Sequence, residues 1–160
     1  MYISLGSNID APRHLRAGVA ALREHFGELE LSSVYESEAV GFAGDNFLNL
    51  VAGFDTDLPI PAVRDILHRI EDANGRLRTG PRFSARTLDL DLLLYDDVVQ
   101  GPEPGPELPR DEILKNAFVL WPLAEIAPNR RHPTDGRTLA ELWQVFDRDA
   151  QRLWPVPFSW

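Results

Sequence analysis

Two aspartates, Asp89 and Asp91, stand within the run Thr87-Leu88-Asp89-Leu90-Asp91-Leu92-Leu93-Leu94. Aspartate is a poor strand former, yet the leucines around it alternate with the period of a strand. That period places both carboxylates on one face, their backbones roughly 7 Å apart. Two such groups repel: at about 4 Å and an effective dielectric near 20, the cost is about 4 kcal/mol. A divalent cation between them reverses the sign. Oxygen donors with no His or Cys close by suit Mg²⁺ better than zinc. The same pattern also fits the solvated outer face of a two-faced sheet.

The basic residues favour the metal. Of 16 Lys and Arg, only Lys115 is a lysine, and Arg76, Arg78, Arg82 and Arg86 crowd into one short stretch. Arginine presents a planar fork suited to phosphate. The stretch runs directly into the aspartate strand, so phosphate donors and a magnesium site would be neighbours. That combination suits phosphoryl transfer, where positioning and electrostatic stabilisation carry most of the catalysis. Neither a P-loop pattern nor the Gly-rich and His-Arg-Asp signatures of protein kinases occur.

Composition narrows the class. The chain has 160 residues, 44% hydrophobic, with a net charge of −9. This is one domain, 1–160, with enough chain for a real core. An acidic surface argues against nucleic-acid and anionic-membrane partners. Without cysteine, disulfides, thiolate metal sites and thiol nucleophiles are excluded. No apolar run approaches the roughly 20 residues of a membrane span, and Met1–Gly6 lacks the pattern of a signal peptide. A cytoplasmic location is expected. Oligomeric state is not readable, and a monomer is the working expectation.

The elements that must position the aspartates read as follows. Tyr2–Leu5 is a strand ended by Gly6-Ser7-Asn8. Asp10 caps a helix carrying Leu15, Val19, Leu22 and Phe26 on one face, closed by Gly27. Leu29–Tyr35 and Phe47–Asp55 read as strands, with Gly41–Asp45 as a loop between them. Pro59 and Pro61 open a helix with Val63, Ile66, Leu67 and Ile70 as its buried stripe, stopped at Asn74-Gly75. In the strand Thr87–Tyr95, Leu88, Leu90, Leu92 and Leu94 point one way; Asp89, Asp91 and Leu93 point the other. Ala117–Ile126 is an apolar helix despite Pro122. Thr138 and Glu141 form a capping box for a last helix. The order β-α-β-β-α-β plus extra helix predicts an α+β, ferredoxin-like antiparallel sheet with helices on one face and further C-terminal helical elements. The aromatic tail Trp154–Trp160 should pack onto the domain or onto a partner chain.

With these elements in order, several segments resemble a known family. Tyr2-Ile3-Ser4-Leu5-Gly6-Ser7-Asn8 is similar to the opening strand of the 6-hydroxymethyl-7,8-dihydropterin pyrophosphokinases of folate synthesis. Ser32-Ser33-x-Tyr35 and Phe47-Leu48-Asn49 resemble the family's pterin-side segment. Ile70-Glu71, Gly75-Arg76-x-Arg78 and Arg86-Thr87-Leu88-Asp89-Leu90-Asp91 resemble its central signature. Phe118-Val119-Leu120-x-Pro122-Leu123-x-Glu125-Ile126-x-Pro128 resembles its late helix.

The resemblance implies transfer of diphosphate from ATP to a pterin hydroxymethyl group, releasing AMP. Asp89 and Asp91 would hold two Mg²⁺ ions, and Asp89 would also meet the pterin. Arg78 and Arg86 would clamp phosphates as catalytic groups, assisted by Arg76. His68, Glu71, Leu92, Arg110 and Lys115 fall at nucleotide-side positions. Asn49 would read the pterin edge, Phe47 or Phe118 would stack on its ring, and Phe83 would close over it. Ser37 and Val40 complete the pterin side.

Three departures stand out. The family's Pro-His before the late helix is Pro109-Arg110 here, its Arg before the late Phe is Asn116, and its pterin-side Thr-Pro is Ser37-Glu38. They leave two alternatives beside the pyrophosphokinase: a family-derived pterin or nucleotide binder with weak turnover, and another magnesium-dependent phosphoryl-transfer enzyme on the same fold.

Overall fold

The structure is a computed structural model that describes residues 1–38, 46–75 and 87–160. Val40, the Gly41–Asp45 loop, Arg76, Arg78, Arg82, Phe83 and Arg86 lie outside the described residues. The elements are β1 (Tyr2–Ser7), α1 (Ala11–Phe26), β2 (Glu30–Leu31), β3 (Val34–Ser37), β4 (Phe47–Gly53), α2 (Ile60–Ala73), β5 (Asp89–Leu94), α3 (Glu112–Lys115), α4 (Ala117–Ile126), α5 (Leu139–Val145) and β6 (Leu153–Val156).

The sheet runs β5-β1-β4-β3-β6, with β2 also paired to β4. Every pairing is antiparallel. Strand β4 lies between β1 and β3, and β1 lies between β4 and β5, so α1 and α2 each complete a split βαβ unit. This is the predicted ferredoxin-like order.

Helices cover both faces of the sheet, which corrects the one-face expectation. Leu50 and Ala52 of β4 join one apolar cluster with Leu15, Val19 and Leu22 of α1 and Val63, Ile66 and Leu67 of α2. Val51, pointing the other way, joins Val119, Leu120 and Leu123 of α4 and Leu139 and Leu142 of α5. Helix α4 runs unbroken through Pro122 and buries most of its residues, as a helix must when it is sandwiched between a sheet and another helix.

Two insertions of one residue break the predicted alternation. Strand β1 pairs Ile3 with Leu92 but Tyr2 with Leu94, leaving Leu93 as the extra residue of a bulge. Leu88, Leu90 and Leu92 therefore face α1 and α2, whereas Leu94 joins Leu93 in the second cluster, correcting the expectation for Leu94. The strand read as Leu29–Tyr35 is two strands. Leu31 pairs Ala52 and Tyr35 pairs Asn49, one residue out of step. At the step, Ser32 Oγ accepts from Val51 N at 2.9 Å in place of a backbone carbonyl. Shorter corrections are that β4 ends at Gly53 and β5 spans Asp89–Leu94. Asp10 precedes α1 with φ 46° but makes no side-chain cap; its carboxylate pairs with exposed Arg13 instead.

The capping box at Thr138 and Glu141 forms in both directions. The aromatic tail packs onto its own domain: β6 pairs with β3 from Val34↔Val156 to Ser37↔Leu153, and Arg16 lies 5.0 Å over the Phe158 ring.

Candidate active site

Asp89 lies opposite Gly6, and Asp91 opposite Ser4, on neighbouring strands. Gly6 in turn lies opposite Asn49, and Asn49 opposite Tyr35. One row across the sheet therefore reads Asp89–Gly6–Asn49–Tyr35, with adjacent strands about 4.8 Å apart. Alternation along β4 puts Phe47, Asn49 and Val51 on the side of α4, the side to which Asp89 and Asp91 also belong. The two aspartates face one way, as the spacing predicted.

Gly6 is needed in this row. A Cβ built on it would stand 2.7 Å from Asn49 Oδ1, so the Asn49 carboxamide lies across the bare glycine toward the acidic pair. Asn49 is 8% exposed, and its Nδ2 donates to Ser37 Oγ at 3.4 Å. Ser37, Asn49 and Phe47 thus cluster where β3 and β4 lie side by side, and Phe118 flanks the same face at the start of α4. Beyond Asn49, the Tyr35 hydroxyl donates to Glu125 Oε1 at 2.6 Å. Its ring packs 4.7 Å from that of Trp121. This pins β3 to α4 and serves packing.

The acidic pair carries an electrostatic load. Burial first, and Asp89 next, push the Asp91 carboxyl up to about 7. Glu112 and Glu71 push the same way, while Arg110 pulls it down. Arg110 Nη2 stands 3.5 Å from Asp91 Oδ1 and 2.6 Å from Glu112 Oε1. Arg110 is thus placed beside the pair. Lys115 Nζ pairs with Asp111 at 2.9 Å on an exposed surface.

On the outer side of β5, Glu71 is 3% exposed and its Oε2 accepts from Leu90 N at 2.9 Å. The carboxylate anchors the edge strand to α2. Backbone groups of an antiparallel strand alternate in direction, so Leu92 also turns its N–H and C=O outward. Its side chain is 4% exposed in the core, which leaves only its backbone for a ligand. His68 sits one turn before Glu71 on α2.

Sequence reasoning missed Glu112. Its Oε1 holds Arg110 and its Oε2 accepts from Asn116 Nδ2 at 3.0 Å. The four-residue spacing from Glu112 to Asn116 is a helical one and could have linked them.

The donor chemistry at the pair fits Mg²⁺. Among the described residues, no three His, Cys, Asp or Glu side chains form a metal cage. Mg²⁺ is commonly held by one or two carboxylates together with substrate phosphates, and Asp89 and Asp91 offer such a partial shell.

Comparison with known proteins decides the lineage. Residues 2–128 match the family model described as 7,8-dihydro-6-hydroxymethylpterin-pyrophosphokinase (HPPK). The chain belongs to the HPPK family. A relative from Pseudomonas aeruginosa, named 2-amino-4-hydroxy-6-hydroxymethyldihydropteridine pyrophosphokinase, is 39% identical over 146 residues, covering 89% of this chain and 88% of its own. Proteins of the same name from Synechocystis sp. and Haemophilus influenzae are 35% and 34% identical. They cover 96% and 91% of this chain, and 78% and 91% of their own. Among the described residues, no helix of this HPPK-family chain is long and apolar enough to cross a membrane.

Proposed function

We propose that the protein transfers the diphosphoryl group of ATP to the hydroxymethyl oxygen of 6-hydroxymethyl-7,8-dihydropterin, releasing AMP, as a step of folate biosynthesis in the cytoplasm. The observation that supports this reading is the row Asp89–Gly6–Asn49, which puts a carboxylate and a carboxamide on one face of a family member's sheet.

Asp89 and Asp91 are assigned to two Mg²⁺ ions. Held there, the ions would supply charge neutralisation to the polyphosphate during in-line displacement at the β-phosphorus. Arg110 stands where its fork can meet phosphate oxygens as they approach the pair. Arg78 and Arg86, with Arg76, are assigned to clamping the same phosphates. The outward backbone at Leu92 and the α2 residue His68 are assigned to the nucleotide, with Glu71 holding β5 to α2.

The Asn49 carboxamide, fixed by Ser37 and by the absence of a Cβ at Gly6, both donates and accepts toward the pterin edge. Phe118 and Phe47 offer ring faces to the flat heterocycle. Val40 is assigned to the same pterin side, and Phe83 to closing over it. Asp89, at the meeting of the two subsites, is positioned to accept a hydrogen bond from the attacking hydroxyl.

The test is AMP release with ATP, Mg²⁺ and the pterin alcohol. AMP should form only when all three are present, and Asp89→Ala or Asp91→Ala should reduce it by at least about a hundredfold. AMP release untouched by both substitutions rejects the assignment.

A further inference from the structure

The Arg110 guanidinium is held unequally by two neighbouring carboxylates. Its Nε and Nη2 both donate to Glu112 Oε1, at 2.9 and 2.6 Å. The contact to Asp91 Oδ1 is longer, 3.5 Å, an ion pair rather than a hydrogen bond. Glu112 is itself held, because its Oε2 accepts from Asn116 Nδ2. The backbone of Arg110 is fixed to β5 by its N–H on Leu93 O at 3.0 Å. The guanidinium therefore has a firm seat on Glu112 and a loose one on Asp91.

We propose that Arg110 is a transferable counter-ion: it screens Asp91 against free divalent cations until a metal–nucleotide complex arrives, whose phosphates then take the guanidinium over, while Glu112 is the positioning residue that keeps it from settling fully on Asp91. The inference rests on the reading of Asp89 and Asp91 as the magnesium pair.

The charge logic is direct. A divalent ion on Asp91 and a guanidinium a few ångströms away repel each other. A metal arriving alone meets that repulsion. A metal arriving with a polyphosphate brings the anionic oxygens that suit an arginine fork. Binding of metal and nucleotide is then coupled through a residue that touches the acidic pair. Glu112 and Arg110 are in contact, yet removing their charges must act on the metal in opposite directions. A merely structural pair would weaken metal binding whichever member is lost.

The experiment measures Mn²⁺ binding to the full chain by electron paramagnetic resonance at pH 8, without nucleotide and then with a non-hydrolysable ATP analogue. Arg110→Gln should bind free Mn²⁺ about tenfold more tightly than the wild type, and Glu112→Gln at least about threefold more weakly. In Arg110→Gln the gain in Mn²⁺ affinity on adding the analogue should shrink by about tenfold. Arg110→Met, which keeps the apolar stem, is the second neutral variant should Arg110→Gln fold poorly. Shifts of the same sign in the Arg110 and Glu112 variants, or none in either, overturn the proposal. Mn²⁺ binding that survives Asp91→Asn unchanged overturns the site reading beneath it instead.

Discussion

Replacing Asp91 by Asn removes the charge of a buried acid and nearly preserves its shape. Without metal, Asp91 holds its proton up to about pH 7, whereas an unfolded chain releases it near 3.8. Each factor of ten in proton affinity corresponds to about 1.4 kcal/mol, so ionising Asp91 inside the fold costs on the order of 4 kcal/mol. The side chain is 26% exposed, and water reaching it lowers the cost; about 2 kcal/mol is the working figure. The sign follows from proton linkage. Between pH 3.8 and about 7 the folded chain keeps a proton that the unfolded chain has lost. The stability this group contributes is therefore complete below 3.8 and gone once the pH has risen through 7. Asp91→Asn should match the wild type near pH 3.5 and exceed it by about 2 kcal/mol at pH 8, measured by urea unfolding with a chelator present. Other acids run the opposite way; Asp135, held down to about 2 by its hydrogen bond from Arg137, is one. They are common to both proteins and cancel in the difference. Mg²⁺ with an ATP analogue should then reverse the order at pH 8 by stabilising the wild type alone. A difference that stays flat from pH 3.5 to 8, or a wild type that is the more stable at pH 8 without metal, refutes the electrostatic reading.

Two further substitutions probe the same face and its support. Gly6→Ala should displace the Asn49 carboxamide, because the new methyl would lie 2.7 Å from Oδ1; the KM for the pterin should rise at least about tenfold with little change in that for ATP, and equal changes in both would count against the row described above. Glu71→Ala leaves the Leu90 N–H without its acceptor and should cost about 1–3 kcal/mol in urea unfolding, whereas Glu71→Gln keeps an oxygen there and should recover most of it. Equal losses in the two variants would show that the hydrogen bond is not what matters.

The parts of the molecule that periodicity controls were legible in the sequence. The shared face of Asp89 and Asp91 follows from a spacing of two, and both split βαβ units follow from helical stripes between strands. What escaped was set by single residues with no distinctive chemistry. Leu93 bulges although it is one leucine among several, because an apolar residue can be buried on either face of this sheet. The step at Ser32–Ser33 depends on a hydroxyl standing in for a carbonyl, which composition does not announce. Coverage of both faces was foreshadowed by Val51 and Leu93, apolar where a solvated face would be polar, and by an α4 that is apolar all round. At the site, the Arg110–Glu112 contact depends on how the turn before α3 folds, so spacing alone did not reveal it. Strand β6 was hidden by Pro155, a residue type that argues against a strand except at a sheet's margin.

That proline has a consequence for how molecules meet in concentrated solution. An open sheet offers two rims, and a bare rim invites another copy to add on. Here one rim is β6, where Pro155 has no N–H to give. The other is β5, where Glu71 already occupies the outward N–H of Leu90. Growth of the sheet by a strand from another copy is thus discouraged on both flanks, by a missing donor on one and by a donor already engaged by a helix carboxylate on the other.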